Sequence, residues 1–291
     1  MNIHPLAALV MLAACATASS QEPPAKGDEN PMNKVLLKDW APKSNLVVPE
    51  TKVERPKFPT IEAHMHPQKG TADEAAQWVK VMDEVGLEAM VLLTHATGDT
   101  FDRLADVYAA HPGRFLLLCG IDTKDIDDPG YPERAAAEVE RCYKKGARGL
   151  GEITDKGYGV NDVPARGASR LHIDDPRLDP VWKKCAELKI AVNIHAADHI
   201  SAWQAPDRHQ ERLPSLQRYN HYGRDIPPHA EMVAKFLAVV GRHPGTTFVA
   251  AQLCNIGHDL AQLGAALDRY PNLNVDTGSR LYELGRQPFS G

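Results

Sequence analysis

The chain has 291 residues, of which 43% are hydrophobic and 24% charged, and its formal net charge is −5. This composition is typical of a folded globular protein and excludes a wholly disordered chain. Lys and Arg (33) are outnumbered by Asp and Glu (38), so no basic excess points to nucleic acid as a partner. The 13 histidines are many for a chain with 6% aromatic residues, and their positions therefore direct the search for a site.

The first predicted element is an export signal. Residues 5–14 form an apolar run that is too short to span a bilayer but suits the core of a signal peptide. The run ends in Leu-Ala-Ala before Cys15, a pattern that resembles a bacterial lipobox, although no Lys or Arg precedes it. Residues 1–15 therefore predict an exported periplasmic or cell-envelope lipoprotein, anchored to the membrane only by lipid on Cys15. Plain secretion and a short apolar N-terminus without a targeting role are the alternatives.

Residues 16–58 are expected to form a tether, because they are polar, contain several prolines and show no apolar periodicity. The folded domain is predicted over residues 59–291. Four further cysteines lack CxxC spacing and are expected to be buried free thiols, with one disulfide as the alternative in an oxidising compartment. They are Cys119, Cys142, Cys185 and Cys254.

From residue 59 onward, seven apolar runs of strand length alternate with amphipathic helical patterns. The predicted strands are residues 59–67, 87–96, 114–122, 147–154, 190–198, 246–254 and 273–278. Their continuous apolar character indicates a parallel sheet that is covered on both faces. This alternation predicts an α/β fold, either a TIM-barrel-type sheet or a doubly wound one. No glycine-rich dinucleotide fingerprint follows the first strand, which favours the barrel.

Polar side chains are predicted at the carboxyl ends of these strands, which meet at one mouth in a barrel. His64 and His66 are two residues apart on a strand and therefore point to the same face, where neutral imidazoles can bind Zn²⁺ or a similar divalent ion. His195, at the end of the fifth strand, is expected to complete the site. Glu152 is a further candidate ligand or base. The alternatives are histidines that form hydrogen bonds without a metal, and a Glu152 that only pairs with a neighbouring cation. His95 and His199 are candidates for substrate contact.

Four segments together resemble the amidohydrolase-related family, in particular the branch that includes aminocarboxymuconate semialdehyde decarboxylase. They are IEAHMHP, GARGLGEI, DDPRLDPVWKKCAELKIAVNIHAAD and LDRYPNLNVDTGSRLYELGRQP, and the resemblance covers residues 57–290. It implies a metal-dependent TIM barrel in which His64, His66 and His195 are metal ligands. The metal of such proteins activates water for hydrolysis, or for addition and decarboxylation.

The sequence departs from the family pattern at two places. Gln252 stands where the sixth strand usually ends in a histidine, and glutamine cannot shuttle a proton near neutral pH. The family's eighth strand ends in an aspartate that acts as ligand and base, and this chain offers no candidate for it. Gly291 follows soon after the seventh predicted strand. We therefore expect an open barrel with seven of the eight strands, from a C-terminally truncated copy of marginal stability and little turnover.

The function expected from these patterns is metal-dependent hydrolysis of a C–N or C–O bond in a small molecule. His95 or Gln252 would orient the substrate, and zinc is the expected metal. A non-oxidative decarboxylase is the first alternative, and it requires a cationic clamp for a carboxylate, for which Arg148 or Arg280 could serve. A catalytically inactive binding protein or fragment is the second alternative. A homo-oligomer is also possible.

Overall fold

The computed structural model describes residues 35–41, 43, 45, 47, 55–163, 169–212 and 219–286. The predicted signal peptide, Cys15 and most of the predicted tether lie outside these residues. The chain divides into two compact units, Met1–Lys52 and Val53–Gly291, and Leu37–Asp39 forms a short 3-10 turn in the first. Within the described part of the chain, no helix has both the length and the apolar character that a membrane span requires.

The second unit contains a parallel sheet of seven strands, which are hydrogen-bonded in the order in which they occur along the chain. The strands are β1 (Thr60–Met65), β2 (Leu87–Leu93), β3 (Phe115–Cys119), β4 (Gly149–Asp155), β5 (Ala191–Ala196), β6 (Phe248–Ala250) and β7 (Leu273–Val275). The helices are α1 (Ala72–Val85), α2 (Gly98–Ala109), α3 (Tyr131–Lys145), α4 (Asp179–Leu188), α5 (His229–Arg242), α6 (Ala251–Cys254), α7 (Leu260–Arg269) and α8 (Leu281–Arg286). This is the predicted α/β, TIM-barrel-type arrangement with seven strands.

The sheet is curled, as shown by side chains from its first and last strands that meet at the carboxyl ends. His64 Nδ1 on β1 lies 2.9 Å from Oδ2 of Asp276, which directly follows β7. In the described residues, however, β1 pairs only with β2 and β7 only with β6. The strands therefore converge at the mouth while the two outer strands keep one unpaired edge each.

Residues on the outward face of the sheet pack against the helices. The Phe248 ring lies between Trp182 of α4 and Phe236 of α5, with ring centroids 6.3 and 6.2 Å apart, and all three side chains are fully buried. Burial of such a side chain stabilises the fold by roughly 1.5–3 kcal/mol. The alternate residues Asn193 and His195 on β5 face the interior instead. Successive side chains of a strand alternate between the two faces of the sheet. The apolar residues therefore pack on the outer face, and the polar residues of the site lie on the inner face.

The predicted sixth and seventh strands are longer than the observed ones. β6 ends at Ala250, and the backbone then turns through Gln252 and Leu253, both with positive φ. The reason lies in the hydrogen bonds of this turn. The N–H of Gln252 donates to the Asp276 carboxylate (2.8 Å) and the N–H of Leu253 to the Asp276 carbonyl (2.8 Å). These bonds replace the strand ladder, so Gln252 lies on a tight turn at the mouth.

All four cysteines of the folded unit are buried free thiols, as the sequence predicts. Helix α1 begins after Thr71, whose hydroxyl accepts a hydrogen bond from the N–H of Glu74. The Glu74 carboxylate does not close a capping box on Thr71. It accepts hydrogen bonds from the three preceding N–H groups of Gln68, Lys69 and Gly70, at 2.6–2.7 Å, and so fixes the loop after β1.

Candidate metal centre

Three imidazoles converge on one carboxylate at the carboxyl ends of β1, β4 and β5. Glu152 Oε1 lies 2.7 Å from His195 Nδ1 and 3.7 Å from His64 Nε2, and Glu152 Oε2 lies 3.4 Å from His66 Nε2. The candidate ligand atoms of His64, His66 and Glu152 all lie within 4.8 Å of one another. The structure thus brings together the four residues that the sequence predicts as a metal site.

The other nitrogen of each imidazole faces an acceptor outside this cluster. His64 Nδ1 lies 2.9 Å from the Asp276 carboxylate, His66 Nδ1 lies 3.1 Å from the Leu93 carbonyl, and His195 Nε2 lies 3.3 Å from Asp198 Oδ1. A histidine that binds a metal usually donates its second N–H to such an acceptor, which fixes the orientation of the ring. His64 Nε2, His66 Nε2 and the Glu152 carboxylate therefore form a donor set that fits Zn²⁺ or Mn²⁺, while His195 Nδ1 is hydrogen-bonded to the same carboxylate.

Asp276 is a buried hub beside this cluster. Besides His64, its carboxylate accepts hydrogen bonds from Asn193 Nδ2 (3.0 Å), from the N–H of Gln252 (2.8 Å) and from the N–H of Gly278 (3.0 Å). The sequence offers no carboxylate ligand from an eighth strand, and Asp276 does not take that role. Its carboxylate contacts the His64 nitrogen that faces away from the cluster, and its hydrogen bond from Gln252 connects the turn after β6 to the end of β7.

The charges in the cluster stabilise one another. Burial alone lowers the pKa of His64 and of His195, but the facing carboxylates outweigh it, so both pKa values lie above their ordinary range. Burial raises the pKa of Glu152 and of Asp276, but the neighbouring imidazoles outweigh this effect and the pKa of each carboxyl is lowered. The histidines and carboxyl groups of the cluster thus shift one another's pKa values in opposite directions.

A second buried carboxylate, Asp198, links the cluster to the two long insertions of the fold, which follow β4 and β5. Its Oδ1 lies 2.8 Å from Lys156 Nζ, and its Oδ2 lies 2.8 Å from His221 Nε2. Burial raises the pKa of Asp198, but His195, His221 and Lys156 together hold it well below its ordinary range. Lys156 also lies over the Tyr219 ring, 4.8 Å from its centroid.

Two cavities open at the mouth on either side of Lys156 and Tyr219. The smaller, of about 190 Å³, reaches His195 and is lined by three cationic side chains, Lys156, Arg212 and Arg280. The larger, of about 580 Å³, reaches Glu152 and His95 and is also lined by Lys156, Tyr219 and His221. A small molecule in either cavity would lie beside the cluster.

Four predicted substrate-contacting or orienting residues lie at this mouth. His95 stacks on His66 with ring centroids 5.0 Å apart, and Gln252 lines the smaller cavity. His199 and Arg280 line the same cavity. Burial and the two nearby arginines lower the pKa of His199 to about 3, so its ring is neutral at ordinary pH. Arg280 is buried and donates to Asn255 Oδ1 at 2.6 Å, which orients its guanidinium.

Arg148 is not brought to the site, so its predicted role as a carboxylate clamp is wrong. It shares a strand face with Glu152, as its parity predicts, but it lies just before β4 begins, at the opposite end of the sheet. Four residues along a strand correspond to roughly 13 Å. Its guanidinium donates to the Ala147 carbonyl and lies over the Tyr143 ring, beside an interior cavity of about 250 Å³.

The sequence patterns do not predict the roles of three residues at the site. Asp276 stands at a predicted strand end, but its bond to His64 joins residues 212 positions apart. Asp198 follows His195 by three residues, and Lys156 directly follows β4. A carboxylate shortly after a strand-end histidine is the signal that could have identified Asp198.

The fold and the cluster together define a barrel-type α/β protein with a candidate metal centre at the carboxyl ends of its strands. A model of the amidohydrolase family matches residues 50–288. The chain therefore belongs to the amidohydrolase family, whose members are metal-dependent enzymes. No curated protein matches the chain.

Solved structures with similarity to the chain include a putative amidohydrolase from Staphylococcus aureus, with 18% identity, a TM-score of 0.45 and 76% of each chain covered. A 2,6-dihydroxybenzoate decarboxylase from Rhizobium has 17% identity and a TM-score of 0.47, with 75% of this chain and 79% of that chain covered. A manganese complex of 5-carboxyvanillate decarboxylase from Novosphingobium aromaticivorans has 17% identity and a TM-score of 0.41, with 69% and 57% covered.

Proposed function

We propose that this protein is a metal-dependent enzyme that removes CO₂ from a small carboxylated molecule. The observation that carries the proposal is the smaller cavity, where Lys156, Arg212 and Arg280 lie beside His195. Among the described residues that line this cavity, Asp198 is the only carboxylate, so three cationic side chains face one acid. An anionic substrate group is therefore attracted to the edge of the candidate metal centre.

Each group at the mouth has a defined task in this proposal. A divalent ion held by His64, His66 and His195, with Glu152, supplies a Lewis acid that polarises a substrate oxygen or bound water. Lys156 and Arg280 bind the substrate carboxylate, and Gln252 donates or accepts a hydrogen bond beside it. The electron pair of the broken C–C bond stays on carbon and takes up a proton, for which His95 is placed at the wall of the larger cavity.

Hydrolysis of a C–N or C–O bond is the second candidate. It is favoured by Glu152, whose carboxylate lies within the cluster with a lowered pKa and could accept a proton from attacking water. Hydrolysis consumes water and releases two fragments without CO₂, so the products separate the two reactions. Metal binding without turnover of any substrate would favour an inactive binding protein.

The metal site is tested on the full chain. Preparations of the wild type should contain about one divalent ion per chain, or two if Glu152 bridges a pair. The double variant His64→Ala, His66→Ala should lose the ion, because lost ligands cannot be replaced by water without a large loss of affinity. Elemental analysis after dialysis measures the content. Unchanged metal content in the double variant would contradict the assignment.

The reaction is tested with a panel of aromatic and unsaturated carboxylic acids, labelled with ¹³C at the carboxyl group, next to matched amides and esters. Release of labelled CO₂ and bicarbonate, followed by NMR, supports decarboxylation, whereas cleavage of the amides or esters supports hydrolysis. Lys156→Met should lower kcat/KM for a carboxylate roughly tenfold to hundredfold, the cost of a charge-assisted hydrogen bond. Lys183→Met, on the exposed surface of α4, is the matched control and should retain full activity.

Export remains part of the proposal, since it depends on residues 1–15 alone. Cys15→Ser should release the protein from the membrane fraction of its host. A wild-type protein that stays in the cytosol and keeps Met1 would contradict export.

A further inference from the structure

The curled sheet encloses a cavity of about 250 Å³ that the proposed reaction does not use. It lies inside the sheet, because residues from the strands β1 to β6 line it. The interior of a barrel is normally filled by bulky branched side chains. Here three of the lining positions carry only a methyl group or no side chain, which accounts for the space. They are Ala63, Gly149 and Ala191.

The wall of this interior cavity is apolar except for two residues, Arg148 and Asn193. The larger apolar side chains that line it are Val91, Leu116, Leu118 and Val249. Gly149, which directly follows Arg148, pairs in register with Ala191. Asn193 therefore lies three residues, roughly 10 Å, further along the sheet than Arg148. The cavity thus has an apolar body with a cation at one end and an amide at the other.

The amide of Asn193 presents an acceptor that lacks a donor. Its Nδ2 donates to the Asp276 carboxylate at 3.0 Å, and an ionised carboxylate can only accept, which fixes the orientation of the amide. Asn193 is 3% exposed, and its Oδ1 has no hydrogen-bond partner among the described residues. Because a buried acceptor without a donor costs free energy, a hydroxyl or N–H group of a bound molecule would stabilise this end of the cavity.

The guanidinium of Arg148 lies at the other end, where its side chain is exposed. It donates to the Ala147 carbonyl at 2.9 Å and lies over the Tyr143 ring, 5.9 Å from the centroid, and both contacts hold it in place. A guanidinium has further N–H donors, and no carboxylate is among the described residues that line the cavity. This end is therefore suited to an anionic group, and a carboxylate matches the guanidinium in shape and charge.

We propose that the interior cavity binds a small carboxylic acid with an apolar body and a hydrogen-bond donor at its far end, such as a phenolic acid. The carboxylate contacts Arg148, the body fills the apolar wall, and the donor reaches Asn193 Oδ1. A cavity of about 150 Å³ holds benzene, so one of about 250 Å³ holds a benzene ring with a short side chain. This site depends neither on a metal nor on the proposed reaction.

The first test locates a probe, 3-(4-hydroxyphenyl)propanoate, on the full wild-type chain with ¹³C-labelled Val and Leu methyl groups. NOEs from the ring protons of the probe should reach the methyl groups of Leu118 and Val249, which line the interior cavity. Val160 lines the larger cavity at the mouth and reports on that site. NOEs confined to Val160, or no binding at millimolar probe, would overturn the proposal. This test needs no variant.

The second test measures the affinity for the same probe by calorimetry. Arg148→Met should weaken binding roughly tenfold, because a charge-assisted hydrogen bond is lost. Arg269→Met is the matched control, since Arg269 lies over the Tyr270 ring at 5.2 Å, outside the cavity, and it should retain wild-type affinity. Lys156→Met, at the mouth, should also retain it, which separates this site from the proposed reaction. Unchanged affinity in Arg148→Met would overturn the proposal.

The third test removes the donor from the probe, because Asn193 also holds Asp276 and a variant there would disturb the candidate metal centre. 3-Phenylpropanoate, which lacks only the hydroxyl, should bind roughly threefold to tenfold more weakly, since Asn193 Oδ1 then stays unpaired. Ala191→Leu fills the cavity and should abolish binding of both acids. Equal affinities of the two acids for the wild type, or binding that persists in Ala191→Leu, would overturn the proposal.

Discussion

A single glycine, Gly278, lies against the pair formed by His64 and Asp276. A Cβ added there would meet His64 Cγ at 3.0 Å and Asp276 Oδ1 at 3.1 Å, closer than side chains normally approach. Its N–H also donates to Asp276. The glycine therefore lets the loop after β7 pass close behind the imidazole and hold its carboxylate partner in place.

We expect Gly278→Ala to push His64 out of line and to weaken zinc binding roughly tenfold, in the range found when a ligand loses its outer partner. Gly264→Ala is the control, since Gly264 lies inside α7 with no atom near the added methyl group. It should raise the free energy of unfolding by about 0.5–1 kcal/mol and leave zinc binding unchanged. Equal zinc affinities in the wild type and Gly278→Ala would show that the pair tolerates displacement.

A residue of the site can be predicted from the sequence when its role follows from local strand spacing, and not when it depends on a contact between distant parts of the chain. His64, His66, Glu152 and His195 could be placed from strand spacing, because the carboxyl ends of parallel strands meet by construction. Asp276 could not be given its role, because only the curling of the sheet brings it to His64. The same strand logic failed for Arg148, since parity fixes the face of a side chain but not its height along the strand.

At the scale of elements, Arg141 of α3 connects two neighbouring helices. It donates to Glu138 Oε2 at 2.7 Å on its own helix and to Asp102 Oδ1 at 2.7 Å on α2. Glu138 also accepts from the N–H of Gly98 at the start of α2, at 2.8 Å. Hydrogen bonding to Arg141 outweighs burial and lowers the pKa of Glu138 to about 2.

This lowered pKa predicts how stability depends on pH. The pKa of Glu138 is lower in the folded state than its ordinary value of 4.5. The contribution of its charge to the free energy of unfolding is therefore complete above about pH 4.5 and is lost as the pH falls toward 2. Glu138→Gln should lower the free energy of unfolding at pH 7 by ~1.5–3 kcal/mol, and the difference should shrink toward zero near pH 2. Urea titrations at several pH values measure it.

Glu140→Gln is the control for this pH dependence. Glu140 lies on the same helix, and its pairs with Lys144 and Lys184 also lower its pKa, but its side chain is 35% exposed and solvent screens such pairs, so a smaller pH-dependent loss is expected. A loss of stability in Glu138→Gln that is the same at pH 7 and near pH 2 would contradict the role of the charge.

At the scale of the whole molecule, the curled sheet has two outer strands whose far edges have no partner strand in the described residues. The edge at β1 is also apolar, since Ile61 is 52% exposed and Phe58, just before the strand, is 69% exposed. Unpaired N–H and C=O groups next to exposed apolar side chains form a template for pairing with another chain.

We therefore expect the protein to self-associate as its concentration rises, through β1. Ile61→Lys places a charge on that edge and should shift association to higher concentration, because a buried lysine opposes strand pairing. Val85→Lys, which adds the same charge at an exposed position at the end of α1, should associate as the wild type does, since the backbone of a helix is already paired. Sedimentation velocity over a range of concentrations measures the three proteins side by side. Equal association of Ile61→Lys and the wild type, or a wild type that stays monomeric throughout, would show that the β1 edge is protected.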